Sequence, residues 1–216
     1  MKPSHHPNDD IMMRYAAATL SEGVSLVIGV HMEMCAECRA RAGMFEAVGG
    51  VMLETLDPTP MAPDAYVKVL RRIDAIEPTA QPTYATRTEI APGLPVPAQL
   101  RNYRIGRWRS LAPGIKFSRI ATAATSDMNV FMLRAAAGTS LLEHGHSGDE
   151  YLCVLKGAFT DQDGRHQAGD MAIADADIAH KPIVDTNEEC ICIVALEGKL
   201  RLRSLVGRML QPVYGI

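Results

Sequence analysis

Two patterns of apolar and polar positions divide this chain. Between residue 9 and about residue 76 the pattern is helical, through YAAATL (15–20), SEGVSLVIGVHMEMCAECRARAGMFEAVGGVMLETL (21–56) and PDAYVKVLRRIDAI (63–76), and it predicts four short helices. Asp9 and Asp10 read as the N-cap of the first helix, while Gly49–Gly50 and DPTPMAP (57–63) read as breaks. Beyond Gly114, short β-type runs recur at close spacing: IKFSRI (115–120), NVFMLRA (129–135), EYLCVLKG (150–157), AFTD (158–161), DMAIA (170–174), CICIVAL (190–196) and LRLRSLV (200–206). Turn residues separate them, as in a small antiparallel sandwich or barrel. The intervening EPTAQPTYATRTEIAPGLPVPAQL (77–100) carries five prolines and no helical period, so it reads as an extended, semi-rigid linker. The basic-aromatic stretch RNYRIGRWRS (101–110) reads as a half-exposed first strand anchored at the domain edge by Trp108. The expected architecture is a two-domain α + β chain: a helical domain over 1–76, a linker over 77–100 and a β domain over 101–216.

Composition narrows the classes. With 216 residues and a net charge of −3, the chain has room for two compact domains and lacks the basic surface of a nucleic-acid binder or of a protein drawn to anionic membranes. No apolar run approaches the roughly 20 residues that span a bilayer, and the start MKPSHHPNDD lacks the apolar centre of a signal peptide, so a cytoplasmic location is expected. Five cysteines, two of them in CxxC, fit a reducing compartment with metal-bound or free thiols. Eight of the twelve methionines fall within the first 61 residues, a distribution that suits either a partner-binding face or an adaptable core filling.

Candidate chemistry lies in both halves. HMEMCAEC puts His31, Cys35 and Cys38 at i, i+4 and i+7, within an arc of about 60° on one helix, so an imidazole and two sulfurs can face one ion. Structural zinc takes four N or S ligands, and the fourth would come from His5 or His6 on a folded-back N-terminus. A structural zinc would also stabilise a helical unit of about 75 residues, whose own core is marginal. The competing readings are two unligated thiols in a turn, or a redox CxxC, which needs a strand entering a helix that the pattern before residue 100 does not provide. In the β half, GTSLLEHGHSGDEYLCVLKG (138–157) holds His144 and His146 on one face of an extended segment, with Glu150 at the start of the next strand and His180 further along. Three imidazoles and a carboxylate suit zinc, iron, manganese or nickel. Cys190 and Cys192 share one face of a strand, and burial accounts for them better than redox chemistry.

The spacing from Gly138 through His144, His146 and Glu150 to Gly157 resembles the first cupin motif, which implies a jelly-roll β-barrel. The second cupin motif is looser: Gly164, Gly169 and His180 match, without the usual proline before Gly169 or asparagine after His180. The first half, with HH, YAAATL and HMEMCAECRARAG, resembles zinc-binding anti-sigma domains, and the whole chain resembles ChrR-type anti-sigma factors. That resemblance implies zinc held by His6, His31, Cys35 and Cys38, and a second divalent metal, zinc or another, at His144, His146, Glu150 and His180. It also implies a partner, a sigma factor of the extracytoplasmic-function class, sequestered by the helical domain with no direct contact to nucleic acid. The cupin would then sense a signal, commonly oxidative such as singlet oxygen, and pairing through its sheet edges would allow a homodimer. Negative transcriptional regulation is therefore expected, and no catalysis. The reading from a different class is a dioxygenase-like cupin metalloenzyme with a helical interaction domain, for which Glu143 and Asp149 are the nearest acid–base candidates.

Overall fold

The computed structural model describes residues 2–76, 89–122, 128–176 and 178–202. Helices α1 (Asp9–Ala16), α2 (Glu22–Met34), α3 (Ala36–Glu54) and α4 (Ala65–Asp74) are followed by strands β1 (Glu89–Ala91), β2 (Leu94–Pro95), β3 (Arg104–Ile105), β4 (Arg109–Ala112), β5 (Ile115–Ala121), β6 (Met128–Ala135) and β7 (His144–His146). Then come β8 (Glu150–Lys156), β9 (Ala158–Asp161), β10 (Gly164–Gln167), β11 (Met171–Ala174), β12 (Ile183–Val184), β13 (Cys190–Glu197) and β14 (Leu200–Leu202). A helical N-terminal region thus precedes an antiparallel β fold, as expected.

Several helix boundaries differ from expectation. The side chain of Asn8 caps α1 by accepting from the Ile11 amide at 2.9 Å, and Asp9 and Asp10 lie in the first turn, where their charge suits the helix dipole. The helix ends at Ala16, so most of YAAATL lies outside it, and Ala18 takes a positive φ of 53°. Helix α3 runs straight through Gly49 and Gly50, whose cost of about 1 kcal/mol each against alanine is borne by the rest of a 19-residue helix. The proline-rich 57–63 stretch does separate α3 from α4.

Seven strands pair antiparallel in one sheet, ordered β11-β8-β13-β6-β5-β3, with β4 also paired to β5; β10-β9-β12, β14-β7 and β1-β2 form smaller sheets. The run CICIVAL is apolar throughout because β13 is covered on both faces. Ile191, Ile193 and Ala195 meet a core that includes Val24, Val27 and Ile28 of α2, while Cys190, Cys192, Val194 and Leu196 meet Phe131, Phe159 and Val184 on the other side. Helix α2 is therefore a layer laid on the seven-stranded sheet, and the helical region shares its core with the β region. Gly23 allows this approach, since a Cβ there would lie 2.7 Å from Val130 Cγ2.

Within the segment read as a linker, residues 89–100 are structured: β1 and β2 pair, and Ile90, Val96 and Leu100 enter the α2 core. Glu33 on α2 holds this segment by accepting from the amides of Ala98 and Gln99 at 2.9 and 2.7 Å. The remainder of that segment, 77–88, lies outside the described residues, as does the end of the run expected over 200–206. In the 101–110 stretch, β3 and the start of β4 both pair with β5, and the Trp108 indole donates to the Ile90 carbonyl at 3.2 Å.

Candidate metal centres

His6, His31, Cys35 and Cys38 come together with one potential ligand atom each, all within 4.8 Å of one another. They do not share one helical face. α2 stops at Met34, and Cys35 adopts an extended conformation (φ −115°, ψ 102°) in which its sulfur accepts from the Cys38 amide at 3.4 Å, capping α3. The ligand spacing thus spans a helix–helix corner: His31 ends α2, Cys35 makes the bend, and Cys38 opens α3. The N-terminal segment folds back between buried Pro3 and Pro7 and brings His6 Nδ1 to 3.4 Å from both sulfurs. His5 turns away to pack against His166 in a tilted arrangement, with ring centroids 4.3 Å apart, and to pair with Asp170 at 3.3 Å.

The donor set fits a tetrahedral soft metal. The 3.4 Å separations match the edge of about 3.5 Å expected for a tetrahedron with bonds of 2.0–2.3 Å. His31 Nδ1 donates to the Gly169 carbonyl at 2.7 Å, which leaves Nε2 as a buried atom with no hydrogen-bond partner and its lone pair available. Burial lowers the His31 pKa, keeping the ring neutral, whereas burial and the neighbouring Cys35 push the Cys38 thiol up to about 12. Metal binding here must displace a thiol proton.

The second cluster is built by β7, the start of β8 and the segment before β12. His144 and His180 pair through their backbones, and His144, His146, Glu150 and His180 place one ligand atom each within 4.8 Å of one another, all buried. Their separations are 3.0 Å (His144 Nε2 to His180 Nε2), 3.4 Å (His146 Nε2 to Glu150) and 3.6 Å (His180 Nε2 to Glu150). These span the edges of octahedral and tetrahedral shells, so the geometry accepts several divalent ions. His144 Nδ1 donates to the Leu142 carbonyl at 2.7 Å, which turns Nε2 inward, and neither ring nitrogen of His146 has a hydrogen-bond partner. Burial pushes His144 and His146 down to about 4 and raises Glu150. His180 runs the other way: burial pushes it down, but Asp161 and Glu150 raise it more.

Asp161 is a site residue that pattern reading missed. It lies 3.4 Å from His180 Nδ1 and 3.3 Å from His166 Nε2, and although burial pushes its pKa up, contacts with His166 and His180 bring it below the usual carboxylate range. A cavity of about 380 Å³ opens here, lined by His5 and His6 on one side and by Glu150, Asp161, His166 and His180 on the other. Asp149, expected as an acid–base candidate, instead accepts from the Tyr151 hydroxyl at 3.3 Å. Cys190 and Cys192 are buried with their sulfurs 3.5 Å apart.

Residues 100–199 match a protein family described as the ChrR cupin-like domain. Over 98% of this chain and 98% of the relative, the sequence is 35% identical to anti-sigma-E factor ChrR of Cereibacter sphaeroides. The fold is similar, with a TM-score of 0.75 and 34% identity, to a crystal structure of Rhodobacter sphaeroides SigE in complex with the anti-sigma ChrR, over 91% of this chain and 100% of that one.

Proposed function

The chain belongs to the family of anti-sigma factor ChrR, and from that premise we propose that it binds a sigma factor of the extracytoplasmic-function class and keeps it from RNA polymerase, acting as a negative regulator of transcription and not as an enzyme. The observation that carries this reading is α4. Tyr66, Val69, Leu70 and Ile73 fall at i, i+3, i+4 and i+7, a core-facing stripe, yet α4 buries no residue. Tyr66 is 75% and Ile73 57% exposed. The second half of α3 adds Val48, Val51, Met52 and Leu53, each more than half exposed. Apolar helical surface of this kind is suited to a groove on a partner.

His6, His31, Cys35 and Cys38 are the ligands in this reading, and the S2N2 donor set favours zinc. Zinc bound there supplies cross-linking and no reaction chemistry: it would tie the N-terminal segment to the corner from which α3 leaves. His144, His146, Glu150 and His180 hold a second divalent ion in a cupin that acts as the sensory module, with an oxidative signal as the input. The placement is cytoplasmic, where sigma factors work; among the described residues no helix is long and apolar enough to cross a membrane.

Coexpression with a sigma factor of the extracytoplasmic-function class from the same genome, followed by copurification and elemental analysis, tests the proposal. A one-to-one complex is expected, retained by Glu150→Gln and lost by the Cys35→Ser, Cys38→Ser double variant. Leu70→Glu and Ile73→Glu are each expected to weaken it about 10- to 100-fold, from roughly 1.5–3 kcal/mol per apolar side chain withdrawn from an interface. A double cysteine variant that still binds would overturn the zinc-dependent mode, and no sigma binding by the wild type would overturn the function.

One observation favours a second reading. Asp161 beside His180 places an ionised carboxylate, a candidate proton acceptor, next to the His3Glu cluster of a cupin metalloenzyme. Substrate turnover abolished by Asp161→Asn, in a chain that binds no sigma factor, would establish it.

A further inference from the structure

The turn between β10 and β11 touches both halves of the molecule. On its cupin side it is fixed to β8, with the Gly169 amide donating to the Val154 carbonyl at 2.8 Å and the Val154 amide donating to the Asp170 carbonyl at 3.0 Å. On its other side the Gly169 carbonyl accepts from His31 Nδ1 at 2.7 Å. The fully buried Asp170 carboxylate accepts from the amides of Ser4 and His5 at 2.6 and 3.0 Å, and from its own turn at Gln167 at 2.9 Å. The Met171 amide in turn donates to the His5 carbonyl at 3.1 Å. Residues 4 and 5 are thus clamped immediately before His6. Gly169 has a φ of +95°, and a Cβ on it would lie 2.8 Å from Pro3 Cγ, so the turn is shaped to receive this segment.

We propose that the Gly169–Asp170 turn of the cupin is a positioning element of the N-terminal metal centre, orienting His31 through a carbonyl and His6 through the clamped strap. The inference rests on reading the two clusters as metal centres. Its consequence is a physical route between them. β10 pairs with β9, whose Asp161 contacts His180, and β11 pairs with β8 so that Ala174 lies opposite Glu150. A rearrangement at the cupin cluster reaches the Gly169–Asp170 turn from both sides, and the turn reaches two of the four N-terminal ligands. Partners of this kind are worth about 10- to 100-fold in metal affinity.

The test uses the full-length chain. Zinc affinity at the N-terminal centre is measured by chelator competition, and its geometry by the visible spectrum of the cobalt-substituted protein. Asp170→Asn and Gly169→Ala are each expected to weaken zinc about 10- to 100-fold and to alter the cobalt spectrum, with the cupin metal retained. Ser4→Pro deletes one clamp donor at an exposed position of the strap and is expected to shift affinity in the same direction by less. Wild-type affinity and spectrum in the folded variants, even with a lowered melting temperature, would overturn the inference while leaving the metal centres standing. A wild-type chain whose four N-terminal ligands take up no zinc or cobalt would overturn the metal reading and the inference with it.

Discussion

Three of the five imidazoles in the two clusters, His31, His144 and His180, are oriented by what their Nδ1 contacts. His31 and His144 donate through Nδ1 to backbone carbonyls, both at 2.7 Å, and so present Nε2 as a lone pair. The cost is visible in the metal-free chain, where buried rings resist protonation. Burial pushes His144 and His146 down to about 4, while an unfolded histidine titrates near 6.5. Between those values the unfolded chain binds more protons, so stability rises with pH across that window and is lost as pH falls from about 6.5 towards about 4. His180, held up by Asp161 and Glu150 against its burial, contributes with the opposite sign and offsets part of this loss. The denaturant midpoint of the metal-free protein is therefore expected to fall between pH 7 and pH 5, and His146→Gln to flatten that dependence. A midpoint constant over this range would show that the rings are not buried as described. Residue types and spacing made seven of the eight clustered side chains legible in the sequence and narrowed the eighth to His5 or His6, a choice that only the family resemblance made. Asp161, Asp170 and the choice of His6 over His5 were not derivable from spacing, because each depends on contacts between distant parts of the chain; Asp170 meets Ser4 across 166 positions.

Among the elements, α2 holds the molecule together. Its sequence EGVSLVIGVHMEM is apolar nearly all round, which pattern alone assigns to a small helical core. In the structure that apolar surface lies against the cupin sheet, and β13 is buried on both faces as a result. A run such as CICIVAL announces a doubly covered strand, but not what covers its second face. The same limit explains the helix corner: HMEMCAEC has no proline or glycine to signal a break, and the bend at Cys35 is stabilised by its own sulfur capping α3. Gly23 tests the α2 contact. Its Cβ position lies 2.7 Å from Val130 Cγ2 and 2.8 Å from Met128 Cγ, whereas Gly43 on α3 has no side chain within 4 Å. Gly23→Leu is expected to destabilise the chain by about 1–3 kcal/mol through overpacking. Gly43→Ala should be neutral or slightly stabilising, by up to about 1 kcal/mol. Chemical denaturation of the two variants checks this, and equal midpoints would mean that α2 does not seat on the sheet.

At the scale of the molecule the burial is lopsided. α2 and the segment over 89–100 share one core with the near face of the β-sheet, a second core fills the sheet's other face, and α4 and the second half of α3 carry their apolar side chains into solvent. Among the described methionines of the first 61 residues, Met12 is fully buried and Met32 partly buried against the core, whereas Met13, Met34, Met44, Met52 and Met61 are exposed, which favours the binding-face interpretation of their clustering. Such surface makes the free chain prone to self-association and is stabilised once a partner covers it. The isolated chain is accordingly expected to bind a hydrophobic dye and to sediment with concentration-dependent mass, and both properties should vanish in the one-to-one complex with sigma factor. Leu70→Glu combined with Ile73→Glu should reduce dye binding of the free chain while leaving its cupin metal content and unfolding midpoint unchanged, because neither residue touches the core. Dye binding that persisted undiminished in the complex would place the sigma contact elsewhere, and the apolar stripe of α4 would then need a different occupant.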